Sequence, residues 1–137
     1  MGYKAVIVDD EEPALRIAKR LVERNSSIET IFTAGNAKAG LQHLTDNDVA
    51  LLLTDTEMAG MNGPELIKVM LKLYADKTQP SVIMLSGNPD YEVEYLSVLQ
   101  EAGAYFVHKM VMFNTLPEVI QSALADYEAR KISRQNL

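Results

Sequence analysis

The chain contains no cysteine and no tryptophan. The first absence removes disulfides, thiolate metal sites and thiol catalysis together, and it fits a reducing compartment, with a cytoplasmic location as the expectation. The second removes indole fluorescence as a report on metal binding. No apolar run approaches the ~20 residues needed to cross a bilayer, so no membrane association is expected. The opening M-G-Y-K-A-V-I-V-D-D reaches two acids after a short apolar stretch and does not read as a signal peptide. Gly2 fits a myristoylation position, but the residues behind it follow a strand pattern, which argues against that use. No G-x-G-x-x-G or G-x-x-x-x-G-K-[ST] loop is present, which weakens a nucleotide-binding reading. Basic residues are in the minority. The formal net charge is −6 and the pI about 4.9, a balance that argues against direct nucleic-acid binding. Only Arg130, Lys131 and Arg134 cluster, and they read as a solvated helix end. His43 and His108 are each isolated, so neither reads as a metal ligand.

What the chain does have is enough apolar residue for one core: 137 residues, 47% hydrophobic, the size of a single domain. Five apolar runs alternate with five helical patterns. The runs are 3–8, 28–33, 49–54, 81–85 and 105–108. The helices are marked by Leu15, Ala18, Leu21 and Val22; by Leu41 and Leu44 behind a capping Asn36; by Leu66, Ile67, Met70, Leu71 and Tyr74 behind Pro64; by a segment running to about Ala102, after the break Ser86-Gly87-Asn88-Pro89, and stopped by Gly103; and by Leu116, Val119, Ile120, Ala123, Leu124 and Tyr127 from about Thr115. Strict β-α alternation predicts a doubly wound α/β fold: a five-stranded parallel sheet with helices on both faces, a three-layer sandwich. Residues 128–137 are polar and read as a fraying tail or the start of a linker helix. Met58, Met61, Met110 and Met112 read as loop residues that can repack, and Met70 and Met84 as core filling.

The third run ends oddly. L-L-L-T-D-T-E-M-A-G-M-N-G carries Asp55 at the end of a strand buried on both faces, with Glu57 two residues on. A buried carboxylate is costly unless compensated. In an open parallel sheet, ligands bind beyond the carboxyl ends of the strands. There this sequence puts Asp9 and Asp10 after the first strand, Asp55 after the third, Ser86 after the fourth and Lys109 after the fifth. Taken singly, the acid pair fits a helix cap, Ser86 a turn and Lys109 a surface cation. Taken together, three acids converge on one rim, and a cation between them would relieve their repulsion. With only oxygen ligands, Mg²⁺ is expected before Ca²⁺.

This constellation resembles the CheY-like receiver domain of two-component response regulators. The likeness spans about residues 3–127. It rests on V-I-V-D-D-E, on L-L-L-T-D-T-E-M-A-G-M-N-G, on V-I-M-L-S-G and on G-A-Y-F-V-H-K, in that order. The resemblance implies a flavodoxin-like (βα)5 fold over residues 1–127 and a signalling switch rather than a turnover enzyme. It implies Asp55 as the acceptor of a phosphoryl group from a histidine kinase or phosphotransfer protein. It also implies Mg²⁺ held directly by Asp10 and Asp55, through water by Asp9, and by the backbone carbonyl of Glu57. Ser86 would be the switch hydroxyl, Lys109 the phosphoryl-pairing cation and Phe106 the switch aromatic. An output partner or domain would read the face formed by the fourth helix, fifth strand and fifth helix, which is also a possible homodimer surface. The protein would be a stand-alone regulator or a piece of a longer one.

Departures from the family pattern have consequences. Met110 follows Lys109 where the family usually has a cis proline. A non-proline cis bond costs about 3–4 kcal/mol, so a trans bond and a different loop are expected. The segment from Gly103 to Lys109 is one residue short, which brings Tyr105 forward as an alternative switch aromatic. Glu57 puts a carboxylate beside the future phosphoryl group and is expected to alter its lifetime. Two other functional classes remain: a degenerate receiver that binds partners without phosphorylation, and a haloacid-dehalogenase-like phosphohydrolase suggested by D-T-E-M. In the latter family the nucleophile follows the first strand, not the third.

Overall fold

The computed structural model describes residues 2–88 and 95–136. Pro89 and the expected beginning of the fourth helix lie outside the described residues. The elements alternate as β1 (Tyr3–Val8), α1 (Glu12–Glu23), β2 (Ile28–Ala34), α2 (Ala37–Asp46), β3 (Leu51–Asp55), α3 (Gly63–Leu73), β4 (Ser81–Ser86), α4 (Leu96–Ala102), β5 (Tyr105–His108) and α5 (Met112–Gln135). A 3₁₀ turn, Lys109–Val111, joins β5 to α5.

All strand pairs are parallel, and their order is β2-β1-β3-β4-β5. The chain winds outward from β1 to β2, then returns to lay β3 on the other side of β1. This reversal opens a crevice beyond the carboxyl ends of β1 and β3. β3 and β4 are buried at every residue, which explains why they read as unbroken apolar runs rather than alternating ones.

Alternate residues of the strands feed two separate cores. Ile7, Leu53 and Leu85 point to the layer of α1 and α5, where Leu21, Leu116 and Ile120 meet them. Val6, Leu52 and Met84 point to α2, α3 and α4, where Leu44, Ile67, Met70 and Leu99 meet them. Leu51, Leu52 and Leu53 are each 0% exposed. Burial of such side chains contributes about 1.5–3 kcal/mol apiece, and truncating one to Ala costs about 2–5 kcal/mol.

Local signals place the helices. Asn36 Oδ1 accepts from Ala39 N at 2.8 Å and starts α2. Asn62 and Glu65 form a reciprocal capping box at the start of α3. Gly103 ends α4 in the left-handed region, φ 62°, where a side chain would be strained. Tyr74, at the end of α3, donates its hydroxyl to the carbonyls of Leu44 and Asn47 and accepts from Val49 N, tying α3 to the chain entering β3.

The structure departs from several sequence expectations and chooses between others. The last helix begins at Met112, not near Thr115, because the 3₁₀ turn follows β5 directly. Of the two readings of the segment after Tyr127, a fraying tail or a continuing helix, the structure shows the helix, which runs to Gln135. Arg130 is not a solvated helix end: it is half-buried and donates to Gln79 O at 3.0 Å and to Ser81 Oγ at 2.8 Å. Tyr3 anchors the same helix from the opposite side by donating to Glu128 Oε2 at 2.7 Å. Met58 and Met112 are buried in the cores rather than free in loops, whereas Met110 is 94% exposed.

Candidate functional site

Asp9 leaves β1 with its backbone N–H still bonded to Ala34 O, at 3.1 Å. Its side chain is buried, and its Oδ1 accepts from Glu11 N at 2.9 Å. That bond turns the chain into α1, whose first turn contains Pro13. Asp10, one residue on, points to solvent.

Asp55 is only 5% exposed. Thr56 N donates to its Oδ1 at 2.9 Å. The same N–H reaches Leu85 O at 3.1 Å, and the Thr56 hydroxyl donates to that carbonyl at 3.2 Å, clamping the end of β3 to β4. Gly63 packs beneath: its N–H donates to Thr56 O at 2.9 Å, and a Cβ there would lie 2.2 Å from Asp55 O. Thr56 and Gly63 thus fix the Asp55 carboxylate, although nothing in their spacing announced it.

Lys109, at the end of β5, reaches into this acidic corner. Its Nζ lies 2.9 Å from Asp9 Oδ2, 3.2 Å from Asp55 Oδ1 and 3.3 Å from Glu11 Oε1. The contact with Asp9 Oδ2 is an ion pair that lacks hydrogen-bond alignment. Among the described residues, that oxygen is the buried side-chain atom with no hydrogen-bond partner. The Lys109–Met110 bond is trans, as expected for a non-proline residue, and the lysine reaches both aspartates all the same.

One ammonium does not balance the corner. Burial, and then the charge of Asp9, push the Asp55 carboxyl up from 3.8 to about 6, against the opposing pull of Lys109 and the Thr56 N–H. Burial alone would lower the Lys109 pKa; the carboxylates of Asp9 and Asp55 outweigh it and hold it above its ordinary value. Oxygens of Asp9, Glu11 and Asp55 all lie within 4.8 Å of one another. Asp10, Glu57 and Ser86 line the same cleft, about 240 Å³ in volume, together with Glu11, Asp55 and Lys109. An orphaned buried carboxylate oxygen, an under-compensated aspartate and an all-oxygen donor set fit a hard divalent cation.

The residues expected from sequence at the strand ends therefore meet in one place. Ser86 Oγ is engaged with the loop backbone: it accepts from Asn88 N and donates to Asn88 O, both at 3.0 Å. The two β5 aromatics diverge. Tyr105 packs on the α1/α5 layer and donates its hydroxyl to Asp126 Oδ2. Phe106 packs on the α2/α3/α4 layer, its ring 5.0 Å from that of His108 in an edge arrangement. Sequence reasoning missed Glu11 as a Lys109 partner. Its place directly after the acid pair was the available signal. Among the described residues, no helix is long and apolar enough to cross a membrane.

Comparison with known proteins agrees with this geometry. The family profile of the response regulator receiver domain matches residues 5–121. The C4-dicarboxylate transport transcriptional regulatory protein DctR of Rhodobacter capsulatus is 32% identical over 98% of this chain, which spans 66% of that protein. The putative two-component response regulator ARR13 of Arabidopsis thaliana is 32% identical over 90% of this chain, which spans 21% of that protein. Among solved structures, a CheY-like receiver domain protein from Methanospirillum hungatei is 26% identical with a TM-score of 0.79, covering 94% of this chain and 98% of that one. The strand order, the acidic corner and the match over residues 5–121 converge: the chain belongs to the response regulator receiver domain family.

Proposed function

We propose that this receiver is a phosphorylation switch in which Asp55 accepts a phosphoryl group from a phosphohistidine on a kinase or phosphotransfer protein. The observation that carries this reading is the corner itself: a buried carboxylate at the end of β3, 3.2 Å from Lys109 Nζ, beside a buried Asp9 oxygen that shares the same ammonium at 2.9 Å. Receiver domains are signalling domains rather than turnover enzymes, so the product of this step is a state of the protein.

An Asp55 oxygen attacks the phosphorus atom. The P–N bond to the imidazole breaks, the ring nitrogen leaves with the electron pair and takes up a proton, and an acyl phosphate remains on Asp55. The transfer depends on positioning and charge neutralisation more than on covalent assistance from the protein. Thr56 N and the β3–β4 clamp hold the nucleophile still. Lys109 follows the developing charge on a phosphoryl oxygen. Mg²⁺ would be held by Asp10, Asp55 and the Glu57 carbonyl, with Asp9 behind them, and when bound it supplies charge neutralisation at the phosphoryl oxygens. Ser86 exchanges its contact with Asn88 for the phosphoryl group, and Phe106, on the α4 side of β5, responds. The face of α4, β5 and α5 then presents a changed surface to an output partner, an output domain or a second copy. Glu57, exposed beside the site, tunes the lifetime of the acyl phosphate; equal dephosphorylation rates for the wild type and Glu57→Ala would remove it from this account. A cytoplasmic location belongs to the same reading and fits the absence of cysteine.

The test is intact mass after incubation with acetyl phosphate, with and without Mg²⁺. A single Mg²⁺-dependent phosphoryl adduct that is absent from Asp55→Asn supports the mechanism. Failure to form any adduct would favour a receiver that binds partners without phosphorylation.

A further inference from the structure

Glu11 stands at the N-terminal cap position of α1, yet its side chain makes no capping hydrogen bond. Its backbone does the local work: its N–H donates to Asp9 Oδ1 at 2.9 Å, and its carbonyl accepts from Leu15 N at 3.0 Å. The carboxylate is thereby left to turn across the site, where Oε1 lies 3.3 Å from Lys109 Nζ, a residue 98 positions away. The ammonium sits among three carboxylates, those of Asp9, Glu11 and Asp55. Two of these belong to the buried corner. Glu11 is the exposed one, with a side-chain accessibility of 69%.

We propose that Glu11 is a positioning residue that holds Lys109 on the α1 side of the cleft and competes with the incoming phosphoryl group for its ammonium. An ammonium can donate three hydrogen bonds. In the resting protein its neighbours are three acids, with a hydrogen bond to Glu11 Oε1, so a phosphoryl oxygen that approaches it competes with them. Asp9 is buried, and Asp55 is the group that becomes phosphorylated. Glu11 is therefore the partner that yields, because its carboxylate is already largely solvated and loses least on release. Its strength sets how readily Lys109 turns to the phosphoryl group. The effect is that of a partly exposed ion pair, about two- to five-fold in rate or affinity, and added salt weakens it.

This inference rests on the reading of Asp55 as the phosphoacceptor, and the experiment separates the two. The full chain is compared as wild type, Glu11→Gln, Lys109→Met and the double variant. The readouts are the rate of the Mg²⁺-dependent adduct with acetyl phosphate, by intact mass, and the affinity for beryllofluoride with Mg²⁺, by calorimetry. Glu11→Gln is expected to gain about two- to five-fold in both, and the gain is expected to vanish in the Lys109→Met background. A gain of equal size in both backgrounds would mean that Glu11 merely repels anions, and would overturn the inference; so would no gain at all. A wild type that neither forms the adduct nor binds beryllofluoride would remove the phosphoacceptor reading and this inference with it.

Discussion

Lys109 lies closer to Asp9 than to Asp55, 2.9 Å against 3.2 Å. The cation thus divides itself between two buried carboxylates, and neither is fully compensated. For Asp55 the sign of the result is clear. Its carboxyl holds a proton more tightly in the folded protein, to about pH 6, than the ordinary value of 3.8. The fold therefore bears no cost from it below about pH 4, a growing cost between 4 and 6, and the full cost above. Without divalent cations, Asp55→Asn is expected to be more stable than the wild type at pH 7, by about 1–3 kcal/mol, and equal to it near pH 4. Urea unfolding in chelator at the two pH values measures this. A variant less stable at pH 7 would mean that the ion pair outweighs burial.

Gly63 supplies a second expectation. A Cβ at this position would stand 2.2 Å from the carbonyl oxygen of Asp55, a backbone atom that cannot swing away. Gly63→Ala must displace the end of β3, at a cost of about 1–3 kcal/mol. The adduct on Asp55 should also form more slowly. Urea midpoints and the rate of mass gain test both parts, and a fall in stability with an unchanged rate would separate the fold from the site.

The Ser86 hydroxyl is satisfied twice by Asn88 in the resting protein. Ser86→Ala is therefore expected to leave adduct formation at Asp55 intact while uncoupling its consequences. Hydrogen exchange in β5 and α4 should change on beryllofluoride binding in the wild type and stay unchanged in the variant. Identical responses would remove Ser86 from the switch.

Arg130 joins the penultimate turn of α5 to the chain entering β4 through Gln79 O and Ser81 Oγ. Arg130→Ala is expected to cost about 1–2 kcal/mol and to raise amide exchange in residues 131–135 while leaving the site's chemistry alone. Unchanged exchange there would show that helix propensity alone sustains the last turns.

Much of this was legible beforehand, for a physical reason. Val6–Val8, Leu51–Leu53 and Val82–Leu85 are buried on both faces, so their burial shows as uninterrupted apolar sequence. In a parallel sheet every strand delivers its next residue to the same rim, and the convergence of Asp9, Asp10, Asp55, Ser86 and Lys109 follows from strand order alone. What escaped depended on partners distant in sequence. Arg130 and Glu11 look like ordinary surface charges until Ser81 and Lys109 are brought beside them. Met58 and Met112 looked like loop residues because they flank turns, yet both face inward. The start of α5 was misplaced because a 3₁₀ turn has no apolar periodicity to read.

The strand order has a mechanical side. β3 is laced to β1 and β4, so moving it breaks two ladders, whereas β5 is joined to β4 alone. Asp55 therefore sits on an interior strand of the sheet, and Tyr105 and Phe106 on an edge strand. One ladder along Ile83–Ser86 joins β5 to the rest of the sheet, so under the proposed switch β5 can shift at the cost of fewer hydrogen bonds than β3.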